Sequence, residues 1–250
     1  MSATHAETKG GGGSPAARGL AAEFRRLVGD VLLWAFVPVA LLPALVLLAA
    51  LPPDLRSAPV GAVEEIGKGI GESLVSNVLV IVAIMGAIGV TTAERTGVLP
   101  REMIFSSWPV VLGSRALSST VSALLLGSVS VGIMEVTFLA MTGQPIFSLT
   151  VALSTVAVTG SAGLWGFLLG VLIRNPLLVL FVVPATLIPA LALADAAPAV
   201  ADFLPLRAQM EATGLAQTGA DAGAATAVLL AWLTALGIVV ALVLRRRDRL

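Results

Sequence analysis

Residues 176–193 read Pro-Leu-Leu-Val-Leu-Phe-Val-Val-Pro-Ala-Thr-Leu-Ile-Pro-Ala-Leu-Ala-Leu, a run with no charged side chain. Periodicity cannot separate a buried soluble helix from a membrane span in such a stretch, but length and the lack of charge can. About 20 mostly apolar residues cross about 30 Å of hydrocarbon. Each Leu, Ile, Val or Phe favours insertion by about 0.3–0.6 kcal/mol near the helix centre. Five more stretches have this character: 31–51, 74–92, 116–140, 149–173 and 224–244. Glu135, in the third span by sequence order, is the one charge within them, at about 2.5–3.5 kcal/mol mid-membrane and less near an end. The expected fold class is an all-α membrane protein with six transmembrane helices. Composition agrees: 57% of the 250 residues are hydrophobic and 12% charged, against about 45–50% and about 25% in soluble domains.

Pro38, Pro43, Pro184 and Pro189 fall inside the first and fifth spans. Membrane helices tolerate proline because neighbours satisfy the freed carbonyls, so kinks are expected there. Asn175-Pro176 has the pattern of an N-cap followed by proline at the first helical position, which joins the fourth and fifth spans as a tight hairpin.

The net charge is zero, but the charges are sorted. Twelve of the 15 Lys and Arg residues lie in the two ends, the second loop (Arg95, Arg101, Arg115) and the fourth (Arg174). Arg56, Lys68 and Arg207 are the three in the odd-numbered loops, which carry most of the acids, Glu64, Glu65, Glu72 and Glu211 among them. The positive-inside rule therefore places both termini in the cytoplasm. Residues 1–17, with Gly10–Gly13, have the composition of a disordered tail. Residues 18–30 gather Leu20, Phe24, Leu27 and Val28 on one helical face beside Arg25 and Arg26, the pattern of an amphipathic interfacial helix. Residues 31–250 form the membrane domain. The first apolar run is too long for a signal-peptide core and is expected to be retained as a span.

Several chemistries lack their residues. There is no cysteine, and His5 of the tail is the only histidine, so thiolate chemistry, a Ser/His pair and the usual zinc or haem ligands are absent. The stretch from Gly61 to Lys68 misses phosphate-loop spacing by one, and Gly69 stands where Ser or Thr is needed. No catalytic residue, metal or cofactor of its own is expected. Without a basic surplus, nucleic acid is not an expected partner.

Two loops are not simply polar. The second contains Gly97, Pro100 and Pro109 as punctuation, and between them a short helix with Met103, Phe105 and Trp108 expected at its surface. An apolar helix on a cytoplasmic loop needs lipid or a protein groove. The fifth, 195–223, contains Phe203, Leu204, Leu206 and Met210 and is expected to pack back over the outer mouth of the spans. Gly160, Gly163, Gly166 and Gly170 give the fourth span a small-residue face for close helix packing. An ionisable residue within a span is a functional candidate by default. Glu135 is therefore either part of a substrate path or a carboxylate that reaches the interface or pairs with a neighbouring Ser or Thr.

Glu94-Arg95-Thr96-Gly97-Val98-Leu99, then Trp108-Pro109 and Gly113-Ser114-Arg115, then Gly166-Phe167-Leu168-Leu169-Gly170 through Arg174-Asn175, stand in an order that resembles the permease subunit of type-2 ABC transporters, the exporter-like class. The resemblance covers nearly the whole chain after residue 18. It implies that the second-loop helix couples the permease to an ATPase subunit, a role falling here on Glu94, Arg95, Thr96, Gly97, Pro100, Arg101, Met103, Phe105 and Trp108. It also implies an ABC ATPase subunit as partner, with ATP and magnesium held there, and a second permease chain, identical or related. The location implied is a bacterial cytoplasmic (inner) membrane. Glu135 maps to no shared role in that family. The alternative is a membrane scaffold or immunity-type subunit that binds a partner without forming a path.

Overall fold

The computed structural model describes residues 31–51, 58–105, 107–215 and 221–247. The expected tail and the interfacial helix at 18–30 lie outside them. Among the described residues all regular structure is helical: α1 Val31–Ala49, α2 Val60–Arg95, α3 Val98–Phe105, α4 Trp108–Thr142, α5 Leu149–Ile173, α6 Pro176–Leu187, α7 Pro189–Ala196, α8 Pro198–Ala201, α9 Pro205–Ala212 and α10 Ala222–Arg247. Five helical segments are long and apolar enough to cross a membrane: α2, α4, α5, α6 with α7, and α10. The first expected span falls on α1, which packs against α2 and α4.

Local chemistry sets the ends. Asn175 accepts from the amides of Leu177 (3.0 Å) and Leu178 (3.4 Å) ahead of Pro176, so the expected N-cap is formed. Ser148 caps α5 by accepting from the Val151 amide. Gly143, at φ +77°, closes α4 in the left-handed region that glycine enters without a Cβ penalty. Of the two prolines in the fifth span, Pro184 sits inside α6 without breaking it, and the helix is interrupted at Ile188, just before Pro189. There the missing amide removes a ladder bond and Leu191 donates to the nearer Ile188 carbonyl.

Two helices exceed expectation. α2 and α4 have 36 and 35 residues, or about 54 and 53 Å, against a hydrocarbon layer of about 30 Å. α2 starts 14 residues before its expected apolar stretch, on a segment with Glu64, Glu65, Lys68 and Glu72. That segment is helical because it has something to lie on. Gly67 packs on Phe138 of α4, and Gly71 on Ile146 and Phe147 of the turn between α4 and α5.

The centre is a three-helix contact. α2 and α5 run parallel, with Ala83 against Gly166 and Ala87 against Gly170. α4 runs antiparallel, with Ala123 against Gly163 and Gly127 against Thr159. A methyl group on Gly166 would overlap the Ala83 carbonyl, and one on Gly170 the Ala87 carbonyl. The backbones touch directly, which only small residues permit. Thr159 Oγ1 donates to the Ala123 carbonyl (3.1 Å) and Ser119 Oγ to that of Gly163 (3.3 Å). α10 is more peripheral and buries little of its apolar length. It is held in part by an edge-on contact of Trp232 with Trp165, centroids 5.9 Å apart.

Gly166→Ala is expected to force α2 and α5 apart and lower the melting temperature in detergent by roughly 2–12 °C. Gly132→Ala, where an added Cβ meets nothing within 4 Å, is expected to leave it unchanged or slightly raised. Thermal size-exclusion profiles of the two variants check both.

Candidate functional site

The α3 end of the bundle gathers most of the residues singled out in the sequence. α2 stops at Arg95, and Gly97, at φ +73°, reverses the chain into α3. Thr96 Oγ1 donates to the Thr92 carbonyl (2.9 Å), and the Gly97 amide to that of Glu94 (3.1 Å), which closes the α2 terminus. Pro100 is tolerated within the first turn of α3, where its missing amide has no ladder partner to lose.

Leu99 is buried and anchors α3 beneath the bundle. It belongs to an apolar cluster with Val90 and Ala93 of α2, Val111 and Leu112 of α4, Phe167 and Val171 of α5, and Val240 and Leu244 of α10. The opposite face of α3 is bare. Phe105 is 86% exposed and Ile104 76%, with Met103 and Val98 about half as open, and Val110 of α4 lies exposed beyond them. Trp108 departs from expectation. It is half-buried and packs on the apolar cluster, because proline at the next position starts α4 with the indole turned inward. Arg95 and Arg101 are exposed.

Two ion pairs fix this end. Arg115 of α4, almost wholly buried, receives Glu102 of α3 as a two-pronged partner: Nε to Oε2 at 2.9 Å and Nη2 to Oε1 at 2.7 Å. Such paired bonds are charge-assisted and set direction as well as distance. Glu94 of α2 meets Arg174 just past α5 at 2.9 Å. Arg174 holds φ +58°, the single non-glycine residue in that region among the described residues. That conformation costs on the order of 1–2 kcal/mol, and the salt bridge holds it in place. α3 is thereby tied to α4 by charge and to α2 and α4 by packing, and Leu99 shares an apolar cluster with residues of α5 and α10, while Glu94–Arg174 ties the ends of α2 and α5.

Sequence reasoning named Glu94 and Arg115 without seeing their partners, and passed over Glu102 and Ile104. Glu102 had a signal, an acid beside apolar residues on a short loop helix, but its partner lies 13 residues on. Ile104 had one too, since it sits between Met103 and Phe105.

Glu135 does not join this site. Its Oε2 accepts from the backbone amides of Ile146 (3.2 Å) and Phe147 (3.1 Å) at the opposite end of the bundle. It fastens the turn from Gly143 to Ser148 onto α4, so the structure gives it an architectural partner of its own.

No family model matches the chain, and no curated protein or solved structure matches it either.

Glu102→Gln leaves the Arg115 guanidinium buried without its counter-charge and is expected to cost about 1.5–3 kcal/mol. Glu102→Leu with Arg115→Met is expected to return most of that loss, since removing both partners is often near neutral. Arg174→Gln breaks the more exposed pair and is expected to cost about 0.2–1 kcal/mol. Detergent melting curves of the variants test this ranking.

Proposed function

We propose that the chain is the transmembrane permease subunit of an ATP-driven exporter of the type-2 ABC class. In this reading α1 also crosses the membrane and brings the spans to six, both termini face the cytoplasm of a bacterial inner membrane, and α3 is the coupling helix. Two such chains, identical or related, pair and form the substrate path, and separate ATPase subunits hold ATP and magnesium. The observation that carries the reading is the contrast between the two faces of α3. One face, through Leu99 and Glu102, is fastened to α2 and α4 and sits in an apolar cluster that α5 and α10 share. The other presents Ile104 and Phe105 bare.

A surface apolar helix with nothing under it is an anchor for lipid alone. An apolar helix clamped to the whole bundle is a lever. Force applied by a partner at Ile104 and Phe105 would pass through the Glu102–Arg115 pair into α4 and through Leu99 into α2 and the apolar cluster around it. Closure of a nucleotide-bound ATPase pair would supply that force, and packed helices shift as rigid bodies rather than bending locally. The exposed Arg95 and Arg101 flank the apolar face and suit an acidic rim on the partner.

Purification of the tagged chain from native membranes in mild detergent is expected to recover a nucleotide-binding ATPase in near-equal amount. Ile104→Glu with Phe105→Glu is expected to lose that subunit at least tenfold while the chain still inserts and elutes as a single species. Recovery of the chain alone in several detergents would favour a scaffold, and retention of the ATPase by the double variant would move its docking surface away from α3.

A further inference from the structure

α10 has less protein around it than the other long helices. Of its most apolar 18 residues 11% are buried, against 61% in α2 and in α5. It packs on α5 and α9 along its length, and at the α3 end Val240 and Leu244 turn into the apolar cluster that holds Leu99. That contact fixes which side of α10 looks outward. On the outward side Ile238 and Leu242 are each more than half exposed.

The helix does not stop where its apolar run stops. It continues past Leu244 to Arg247, and Arg245 and Arg246 are exposed. Helical geometry then sets where these arginines stand. Arg246 follows Leu242 by four residues and Ile238 by eight, and Arg245 follows Leu242 by three, so the four share one face. From Ile238 to Arg246 the rise is about 12 Å, close to the roughly 15 Å of hydrocarbon in one leaflet. Cα–Cβ bonds on a helix tilt toward its N-terminus, so both arginines leave the backbone leaning toward the apolar stripe rather than away from it.

Charge at this end is unbalanced. Its two described acids are already paired, Glu94 with Arg174 and Glu102 with Arg115. Among the described residues no acid forms an ion pair with Arg245 or Arg246. The sequence continues Arg247-Asp248-Arg249, which adds to the surplus.

We propose that the face formed by Ile238, Leu242, Arg245 and Arg246 binds an anionic phospholipid, with its phosphate on the two guanidiniums and an acyl chain along the apolar stripe. Guanidinium N–H groups donate to phosphate oxygens in paired bonds. A soluble polyanion would match the arginines and leave the stripe bare. A zwitterionic lipid would match the stripe and bring a cation of its own to the arginines. An anionic lipid matches both, and it seats the helix that the bundle itself holds least. The site goes beyond the permease reading and stands without it, since it needs neither an ATPase nor a substrate.

The test uses the full chain, stripped of lipid in detergent and titrated with mixed micelles of phosphatidylglycerol or phosphatidylcholine. Bound lipid is counted by native mass spectrometry, and the melting temperature is followed in parallel. Phosphatidylglycerol is expected to stay bound and raise the melting temperature, and phosphatidylcholine to do neither. Arg245→Gln and Arg246→Gln are each expected to weaken phosphatidylglycerol binding roughly fivefold, and the double variant roughly 25-fold. Leu242→Ala keeps both arginines, shortens the stripe and is expected to weaken binding roughly twofold or more. Arg95→Gln with Arg101→Gln removes the same charge from the same end and is expected to leave binding within about twofold, because neither arginine lies on α10. Inorganic phosphate alone is expected to give no shift. Where the double variant fails to insert, the single variants, each keeping one arginine, decide the matter. Equal retention of the two lipids, or an equal loss in the Arg95→Gln and Arg101→Gln variant, overturns the site. A shift with inorganic phosphate as large as with phosphatidylglycerol overturns the lipid as its occupant.

Discussion

The contact of the Ala83 carbonyl with the bare α-carbon of Gly166 sets the architecture. Lipid tails are as apolar as leucine, so helices in a membrane gain nothing by hiding apolar surface from each other. They associate through close van der Waals packing and polar contacts, and the closest packing is backbone on backbone. Gly163, Gly166 and Gly170 give α5 a face without side chains, on which α2 and α4 both settle. Once α2 and α5 lie parallel at that distance, the chain between them is committed. α4 must return antiparallel along both, and α3 must turn the corner at one end.

That geometry explains why the α3 end is rigid. Parallel α2 and α5 end side by side, which brings Glu94 within 2.9 Å of Arg174 although 80 residues separate them. α4 starts at the same end, so Arg115 stands where Glu102 of the intervening helix can reach it with both oxygens. The ion pairs follow from glycine packing about 6–17 Å away along α5. The rigidity has a consequence for the exposed side chains. Ile104 and Phe105 are presented in a fixed direction, and a partner that grips them grips the bundle.

Much of this was legible in the sequence, and the rest was not for stated reasons. Apolar length located α5, α10 and the kinked α6–α7 segment within a few residues. Asn175 before Pro176 marked a cap that forms as expected, and the glycine spacing marked a packing face. The extra length of α2 was invisible because Glu64, Glu65 and Lys68 read as loop. Only Gly67 and Gly71, resting on Phe138 and Phe147, show why that segment stays helical. Trp108 was misjudged because an aromatic on a short loop gives no sign of which way the next helix will turn it. Glu102 and Arg115 are ordinary residues until a fold puts them together, and no local pattern encodes a pairing made by tertiary structure.

The two ends of the bundle both pair their buried charges, and they differ in one amide. At the α3 end, Arg115, the buried charge, meets two carboxylate oxygens, and the strained Arg174 is held by Glu94. Polar groups there have their counterparts, so the arrangement has one deep minimum. In α9, at the other end, Gln209 has no counterpart among the described residues, while Arg207 meets Glu211 at 2.9 Å and Asp202 at 3.6 Å. Leu206 and Met210 of the same helix join the main apolar core, and Gln209 is carried in with them at a cost of about 1–3 kcal/mol.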